Sequence, residues 1–180
     1  MIICRWVVWS DRLICRTKLM SQTNYNHILV PYDGSTLSGK VLPHILTLSS
    51  AFNPKITLLE VAESLIEINT KMTPLPNYTA GLYSTDLAKQ VYKNSTIAAE
   101  DHLKKLQHKL HEYGLVKVNI KVLHGNPADE IVKFAKRESC DLIVMSTHGR
   151  SGLKRLLLGS VTDQVLHQAV CPVLIVRPRN

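Results

Sequence analysis

The sequence predicts a single-domain α/β fold in which five parallel strands form an open sheet with helices on both faces. Short apolar runs alternate along the chain with longer segments of helical periodicity, which is typical of a doubly wound sheet. The run LIVM at residues 142–145 is apolar at every position, as expected of a parallel strand buried on both faces. The intervening helices supply the right-handed crossovers that parallel neighbours require.

Composition limits the function classes. A chain of 180 residues with 45% hydrophobic content suits one domain with a sizeable core. We find no apolar run of the ~18 residues that cross a membrane, and the few aromatic residues are not interleaved with basic clusters, so we expect neither a membrane nor a nucleic-acid partner. The four cysteines lack CxxC spacing, which favours reduced thiols and a cytoplasmic location; they are Cys4, Cys15, Cys140 and Cys171.

Residues 1–19 do not share the pattern that follows. Arg5, Asp11 and Arg12 interrupt their apolar stretch, and no small-residue cleavage site marks a signal peptide. We interpret them as a non-family extension upstream of a natural start at Met20, and residues 20–180 as the domain; a short amphipathic surface segment is the alternative. The extension holds four basic residues and one acid, so about +5 of the +8 net charge remains in the domain.

The first half of the chain predicts two strands and one helix. A strand at 27–31 ends before Asp33, at the strand end where α/β sheets place their ligands; capping of the next helix is the alternative role for this residue. A helix at 37–52 contains Pro43, which should kink it or shift its start. A second strand covers 55–61. Residues 63–84 contain Pro74, Pro76 and Gly81 and predict a mobile loop, either a lid or a plain insertion.

The second half predicts three more strands. A long helix at about 84–113 carries three histidines, which we interpret as solvated surface residues rather than metal ligands, and ends at Gly114 in a left-handed cap. Alternating apolar residues at 118–122 form the third strand, and Asn126 caps the helix that begins at Pro127. Strands at 142–145 and 172–176 complete the sheet. The histidines are His102, His108 and His111.

Residues 141–162 combine a strand, a glycine-rich loop and the start of a helix. Gly149 and Gly152 lie in the loop, and Ser160 with Asp163 has the spacing of a capping box. A loop that leads into a helix N-terminus presents backbone N–H groups and a positive dipole end to an anion. Phosphate binding and an ordinary turn are both compatible with this spacing.

Several motifs together resemble the universal stress protein family. They are HILVPYDGS at 27–35, ITLLEV at 56–61, GNPADEI at 125–131, the stretch 142–160 and CPVLIV at 171–176. The resemblance implies a Rossmann-like fold of the adenine-nucleotide alpha-hydrolase type that binds ATP (or AMP or ADP) with Mg²⁺ or Mn²⁺. It also implies a homodimer formed through the edge strand Val173–Val176 and a role in survival under stress.

The resemblance assigns a binding role to specific positions. Asp33 would lie toward ribose or adenine, beside Pro31, Tyr32 and Val61. The phosphate loop would be Ser146, Thr147, His148, Gly149, Arg150, Ser151 and Gly152, completed by Gly159, Ser160, Val161 and Thr162. The family pattern is Gly-x-x-Gly, nine residues, then Gly-Ser or Gly-Thr. Ser146 replaces its first glycine, and its Cβ could crowd the loop or its hydroxyl could reach a phosphate.

Three functions compete. The first is a stress protein switched by bound ATP, with at most slow hydrolysis, and the second is a nucleotide-free dimer that acts through protein partners. The third is an ATP-hydrolysing or nucleotidyl enzyme, but no Walker lysine follows the loop. His148 is the single candidate for a general base beside the loop, and we interpret it as a loop-packing residue. We therefore assign no catalytic residue and no metal ligand.

Overall fold

The computed structural model describes residues 24–72, 83–147 and 159–177. Their elements alternate as the sequence predicts. The strands are β1 (His27–Pro31), β2 (Lys55–Ala62), β3 (Val118–His124), β4 (Leu142–Ser146) and β5 (Val173–Val176), and the helices are α1 (Leu42–Phe52), α2 (Leu65–Met72), α3 (Tyr83–Glu112), α4 (Pro127–Arg137) and α5 (Ser160–Gln168).

All five strands are parallel and pair in the order β3-β2-β1-β4-β5. β1 pairs with β2 along its whole length, from His27 with Lys55 to Pro31 with Leu59. Its pairing with β4 is confined to Ile28 with Leu142 and Leu29 with Ile143. The chain moves outward from β1 to β3 and then returns to the other side of β1, so the topological switch point lies between β1 and β4.

Helices cover both faces of the sheet, which confirms the predicted layering. On one face α1 and α3 bury a cluster that includes Ile45, Leu58 and Leu103. On the other face α4 and α5 bury a cluster that includes Ile131, Ile143 and Val165. The even and odd residues of each strand therefore face different helix layers, which is why the central strands are apolar throughout.

Local rules explain most element boundaries. Pro43 lies in the first turn of α1, so the helix begins there, after a 3₁₀ turn at Ser38–Val41; the predicted shift of its start is confirmed. The Asn126 side chain caps α4 by accepting bonds from the N–H groups of Ala128 and Asp129. Gly114 has φ +85°, as expected of a left-handed cap.

The interpretation of residues 63–84 as a loop was wrong for its first half. Residues 65–72 form α2, which begins with a reciprocal cap: the Ser64 N–H donates to Glu67 over 2.7 Å, and the Glu67 N–H donates to the Ser64 hydroxyl over 3.2 Å. The prolines and Gly81, which motivated the loop prediction, lie outside the described residues. Within the described part of the chain, no helix has the length and apolar character needed to cross a bilayer.

Two cysteines lie in the described fold as free thiols, which agrees with the predicted reduced state. Cys140 is buried and Cys171 is half-buried, and both belong to the core on the α4 and α5 face. Burial raises the pKa of the Cys140 thiol to about 12, so the reactive thiolate is suppressed there. Cys140 is therefore a core residue in this fold.

Candidate functional site

The candidate site lies at the carboxyl edge of the sheet, where β1 and β4 end side by side. Two segments that the sequence singled out follow these strands: Tyr32 and Asp33 after β1, and Thr147 after β4. β1 and β4 pair only at Ile28 with Leu142 and Leu29 with Ile143. Beyond these pairs the ends of the two strands border the crevice of the switch point. Ligands of open α/β sheets bind in this position.

The turn after β1 is held from two sides. The Tyr32 N–H donates to the Leu59 carbonyl over 2.8 Å, which continues the ladder with β2. The Asp33 carboxylate accepts the Ser35 N–H over 3.0 Å, and Gly34 between them has φ +79°, a conformation that favours glycine. Asp33 is thus placed at the crevice by a closed turn. It lies five positions before Ser38, the first residue of the 3₁₀ turn, and no side chain of the described residues caps that turn.

The pKa of Tyr32 reflects the charged groups near this turn. Burial raises the pKa of its phenol, and the nearby Asp33 and Glu60 carboxylates raise it further. Both carboxylates therefore lie close enough to Tyr32 to disfavour its ionised form. The remaining predicted residues of the adenosine end, Pro31 and Val61, lie at the ends of β1 and β2 and are half-buried.

The end of β4 and the start of α5 are joined directly. The Gly159 N–H donates to the Thr147 carbonyl over 2.9 Å, and the Thr162 hydroxyl donates to the Ser146 carbonyl over 3.0 Å. Thr162 is buried and Val161 is half-buried. The structure therefore brings together both ends of the predicted phosphate loop, although they are separated by more than ten residues in sequence. The loop positions 148–152 lie outside the described residues.

The N-terminus of α5 differs from the sequence prediction in one respect. Ser160 is the first helical residue and not the N-cap; the N-cap is Gly159, with φ −58° and ψ 150°. The capping box of Ser160 with Asp163 was therefore wrong, because the helix begins one residue earlier than the serine pattern suggested. No side chain among the described residues caps this helix. The positive dipole end of α5 therefore lies next to the end of β4, to which Gly159 is bonded.

Ser146, which replaces a family glycine, is accommodated in the packed end of β4. Its side chain lies inside the fold, with the residue 7% exposed. Its backbone pairs with Val176 of β5, and its carbonyl accepts the Thr162 hydroxyl. The residue that could have crowded the loop is therefore part of the junction that joins β4 to α5.

A second pair at this edge escaped the sequence analysis. His102 of α3, interpreted as a solvated surface histidine, places Nδ1 3.2 Å from both carboxylate oxygens of Glu60 at the end of β2. The Glu60 side chain is 5% exposed and the His102 side chain 33%, so the surface interpretation was wrong for this residue. His108 and His111 are exposed, as predicted. A glutamate between Leu59 and Val61 in a predicted strand was the available signal that a partner exists.

His124 forms a neighbouring cluster on the same side of the sheet. Its ring stacks on Tyr92 of α3 with the centroids 4.3 Å apart, and its Nε2 lies 2.9 Å from the Thr96 hydroxyl. Burial lowers the pKa of His124, which favours the neutral form of the imidazole. Within the described residues, no three His, Cys, Asp or Glu side chains are grouped as metal ligands.

Fold and site together define a doubly wound α/β protein whose candidate site lies at the topological switch point. The profile of the "Universal stress protein family" matches residues 24–177 of this chain. Because that match covers most of the chain, the chain belongs to the universal stress protein family.

Two relatives illustrate the match. Universal stress protein MJ0531 of Methanocaldococcus jannaschii is 35% identical over 153 residues, which are 85% of this chain and 82% of that protein. Universal stress protein YxiE of Bacillus subtilis is 31% identical over 153 residues, which are 85% of this chain and 99% of that protein. The solved structure of hypothetical protein MJ0577 has a TM-score of 0.72 at 29% identity and covers 87% of this chain and 98% of that one.

Other solved structures of this fold contain adenine nucleotides. A universal stress protein in complex with cAMP has a TM-score of 0.59 at 20% identity, covering 87% of this chain and 99% of that one. A universal stress protein family protein of Arabidopsis thaliana with AMP bound has a TM-score of 0.54 at 24% identity and covers 86% of this chain and 92% of that one. The universal stress protein of Archaeoglobus fulgidus in complex with dAMP has a TM-score of 0.58 at 18% identity and covers 84% of this chain and 97% of that one. At these identities the likeness is one of fold.

Proposed function

We propose that this universal stress protein binds an adenine nucleotide, ATP or its products AMP and ADP, in the crevice between β1 and β4. One observation carries the proposal: the N-terminus of α5, which no side chain of the described residues caps, is bonded to the end of β4, beside the strand that carries Asp33. Free N–H groups and a helix dipole at a switch point suit a phosphate. The bound nucleotide then acts in a stress response as a switch, with at most slow hydrolysis.

The adenosine end of this site is assigned to the turn after β1. Asp33 would accept a hydrogen bond from a ribose hydroxyl, since its carboxylate is fixed by the Ser35 N–H at the crevice. Pro31, Tyr32 and Val61 would border the base, because they end the two strands that flank this turn. Adenine nucleotides in solved structures of the same fold support this choice of ligand class.

The phosphate end is assigned to the β4–α5 junction and the loop between its halves. Thr147, Gly159, Ser160, Val161 and Thr162 belong to the junction. His148, Gly149, Arg150, Ser151 and Gly152 are proposed from the sequence pattern as the loop that closes over the phosphates. A divalent ion, Mg²⁺ or Mn²⁺, would bridge phosphate oxygens, since these hard cations prefer oxygen ligands. We also propose a cytoplasmic location.

Substitution of Gly159 by aspartate tests the phosphate end. The backbone angles at Gly159 are open to any L-residue, so the change is unstrained, and aspartate is a good N-cap. Its carboxylate would take the N–H groups proposed for phosphate and would add a negative charge. Lost bonds to a charged group are worth about 1.5–3 kcal/mol each, so ATP affinity in calorimetric titration with Mg²⁺ should fall by at least about ten-fold.

Gly159→Ala is the matched control, because alanine adds a Cβ without a capping oxygen or a charge. It should retain most of the affinity, while Gly159→Asp should melt at or slightly above the wild-type temperature. Loss of binding without loss of stability separates a blocked site from a damaged fold. Equal affinity in wild type and Gly159→Asp would place the phosphates elsewhere.

Ser146→Gly restores the family pattern and provides a second measurement. We expect ATP affinity that is equal to or tighter than wild type, because the glycine removes a side chain from the strand end that leads into the loop. The Thr162 bond to the Ser146 carbonyl is a backbone contact, so the β4–α5 junction should survive the change. Markedly weaker binding would instead assign the serine hydroxyl a direct role.

A second candidate function rests on the edge strand β5. Its residues are only partly buried in the chain, except for Val176, and they are β-branched or apolar. We propose that two copies pair through this edge into a homodimer. A dimer that acts through protein partners and carries no nucleotide is the alternative function. Analysis of nucleotide released by heating the purified protein distinguishes the two, since retained ATP supports the switch and an empty protein supports the alternative.

A further inference from the structure

We propose that His102 is a positioning residue for the nucleotide: with Glu60 it fixes the turn of Asp33 and Gly34, and thereby the ribose contact of Asp33. This inference rests on the proposed function, because it assigns the pair of His102 and Glu60 a role in that nucleotide site. His102 and Glu60 lie 42 positions apart in sequence and meet where α3 crosses the end of β2.

Nδ1 of His102 lies 3.2 Å from each carboxylate oxygen of Glu60. An ionised carboxylate only accepts, so with Glu60 ionised the shared proton belongs to Nδ1. Glu60 is almost fully buried, and a buried carboxylate is costly without a donor. His102 therefore compensates the charge of Glu60 and is itself held in one orientation.

In that orientation the His102 ring lies directly against the backbone of Gly34. A Cβ placed on Gly34 would lie 2.6 Å from Nδ1 and 2.8 Å from Cγ and Cε1 of the ring. A Cβ at Gly34 would therefore displace the His102 ring, and the positive φ of 79° independently favours glycine at this position. The His102 imidazole thus packs against the turn that carries Asp33 and restricts the position of that turn.

The electrostatics of the turn favour the same role. Asp33 and Glu60 both lie close enough to Tyr32 to raise the pKa of its phenol. Two uncompensated carboxylates beside a nucleotide would repel its phosphates and each other. His102 contacts Glu60 beside the turn that carries Asp33, so the same side chain touches both the second carboxylate and this turn.

A pair of substitutions of similar size separates the N–H donor from bulk. His102→Gln can donate an amide N–H to Glu60, whereas His102→Leu fills similar space without a donor. We expect ATP affinity, titrated with Mg²⁺, to stay within about two-fold of wild type for the glutamine and to fall about five-fold for the leucine. His108→Ala on the same helix, with its side chain 78% exposed, is the control and should match wild type.

A double-substitution cycle with Asp33→Ala tests whether His102 acts through Asp33. Loss of one ribose hydrogen bond should weaken ATP binding by about ten-fold in Asp33→Ala. If His102 only positions Asp33, adding His102→Leu to Asp33→Ala should cause no further loss. Melting temperatures of all variants, measured without nucleotide, identify any general loss of stability.

The outcomes separate this inference from the function on which it rests. A wild-type chain that binds no adenine nucleotide overturns both. Binding by wild type with fully additive losses, or equal losses for His102→Gln and His102→Leu, overturns the positioning role and leaves the proposed function intact. Non-additive losses with recovery in His102→Gln establish that the pair sets the ribose contact.

Discussion

His27 is a buried histidine on the first residue of β1, and its environment makes the fold sensitive to acid. Its Nε2 lies 2.9 Å from the Thr57 hydroxyl, and its Nδ1 lies 3.2 Å from the Glu138 carbonyl. A carbonyl only accepts, so Nδ1 carries the proton of the neutral ring and Thr57 donates to Nε2. Burial lowers the pKa of His27 below 6.5; Lys55 lowers it further, while the Glu138 carbonyl bond and the Glu138 and Asp141 charges oppose the shift.

The direction of the pH effect follows from this shift. Above pH 6.5 the ring is neutral in both folded and unfolded chains, so its full contribution to stability is present. As the pH falls below that value, the unfolded chain takes up a proton that the folded chain resists, and stability is lost until the folded pKa is passed. Each unit of lowering is worth about 1.4 kcal/mol.

We therefore expect the free energy of unfolding in urea to fall between about pH 7.5 and about pH 5, and to fall less in His27→Gln. Some pH dependence should remain in the variant, because burial also lowers the pKa of His124. The same pH dependence in both proteins would mean that His27 does not titrate in this range. Measurement at constant ionic strength removes the screening contribution of surface charges.

Sequence reasoning predicted positions that depend on local pattern, such as strand ends, and failed for residues whose partners are distant in the sequence. Asp33 and Thr147 were placed at the crevice because strand ends are visible as the end of an apolar run. His102 was misread because its partner Glu60 lies on another element, and helical periodicity contains no information about that contact. Gly159 became the cap instead of Ser160 because its bond to Thr147 fixes where the chain turns into α5.

At the scale of elements, α2 is the helix that depends most on its own cap. It packs against α3, and its buried residue Ile68 belongs to neither core cluster. The Ser64 hydroxyl accepts the Glu67 N–H, and bonds from Ser64 lower the pKa of the Glu67 carboxyl. A helix of eight residues with little core contact is marginal without such a cap.

Ser64→Ala should unfold α2 locally without lowering global stability much. Loss of an N-cap costs about 0.5–2 kcal/mol, which is comparable to the opening free energy of a peripheral helix. We expect faster amide hydrogen exchange in residues 65–72 and an unchanged urea midpoint. Exchange at the wild-type rate would show that packing on α3 alone holds the helix.

Asn126→Ala removes the N-cap of α4, a helix that packs in the core, and can be compared with removal of the α2 cap by Ser64→Ala. The Asn126 side chain caps α4, and α4 buries Ile131 and Phe134 against the sheet. Because α4 packs in the core, we expect it to open with the whole fold, so loss of its cap should lower the global free energy of unfolding by about 1 kcal/mol. Asn126→Asp retains the capping oxygen and should be close to wild type.

The elements that the sequence predicted are those with strong periodicity and caps, and α2 shows why one was missed. Residues 64–67 read Ser-x-x-Glu, which is the capping-box pattern. We predicted a loop for all of residues 63–84 because this segment contains Pro74, Pro76 and Gly81. Proline and glycine disrupt a helix only near their own positions, so they did not exclude a helix at the start of the segment. The caps at Asn126 and Gly114 were recognised because each stands at the boundary of a clear apolar stripe.

At the scale of the whole molecule, residues 1–19 are predicted to be dispensable. The composition changes at Met20, and Arg5, Asp11 and Arg12 interrupt the apolar stretch before it. Poorly packed termini contribute little to stability. Deletion of residues 1–19 should therefore leave the melting temperature and ATP affinity within experimental scatter, and a drop of many degrees would show that the segment packs on the domain.

The two edges of the sheet are protected differently, and this difference underlies the predicted homodimer. The β3 edge carries exposed polar residues, Asn119 and Lys121, which discourage pairing with another strand. The β5 edge is Val-Leu-Ile-Val without a charge. Pairing of β5 with its copy across a two-fold axis would hide both unprotected edges in one closed interface.

Ile175→Lys tests this interface with little direct cost to the core, because Ile175 is half-buried and is assigned to neither core cluster. A lysine there would meet the same charge on the partner strand, so sedimentation at tens of micromolar should change from dimer to monomer. Asn119→Lys adds the same charge to the opposite edge and should leave the dimer intact. A wild-type chain that sediments as a monomer contradicts the prediction; dissociation caused equally by both lysines would assign the effect to net charge and not to the β5 edge.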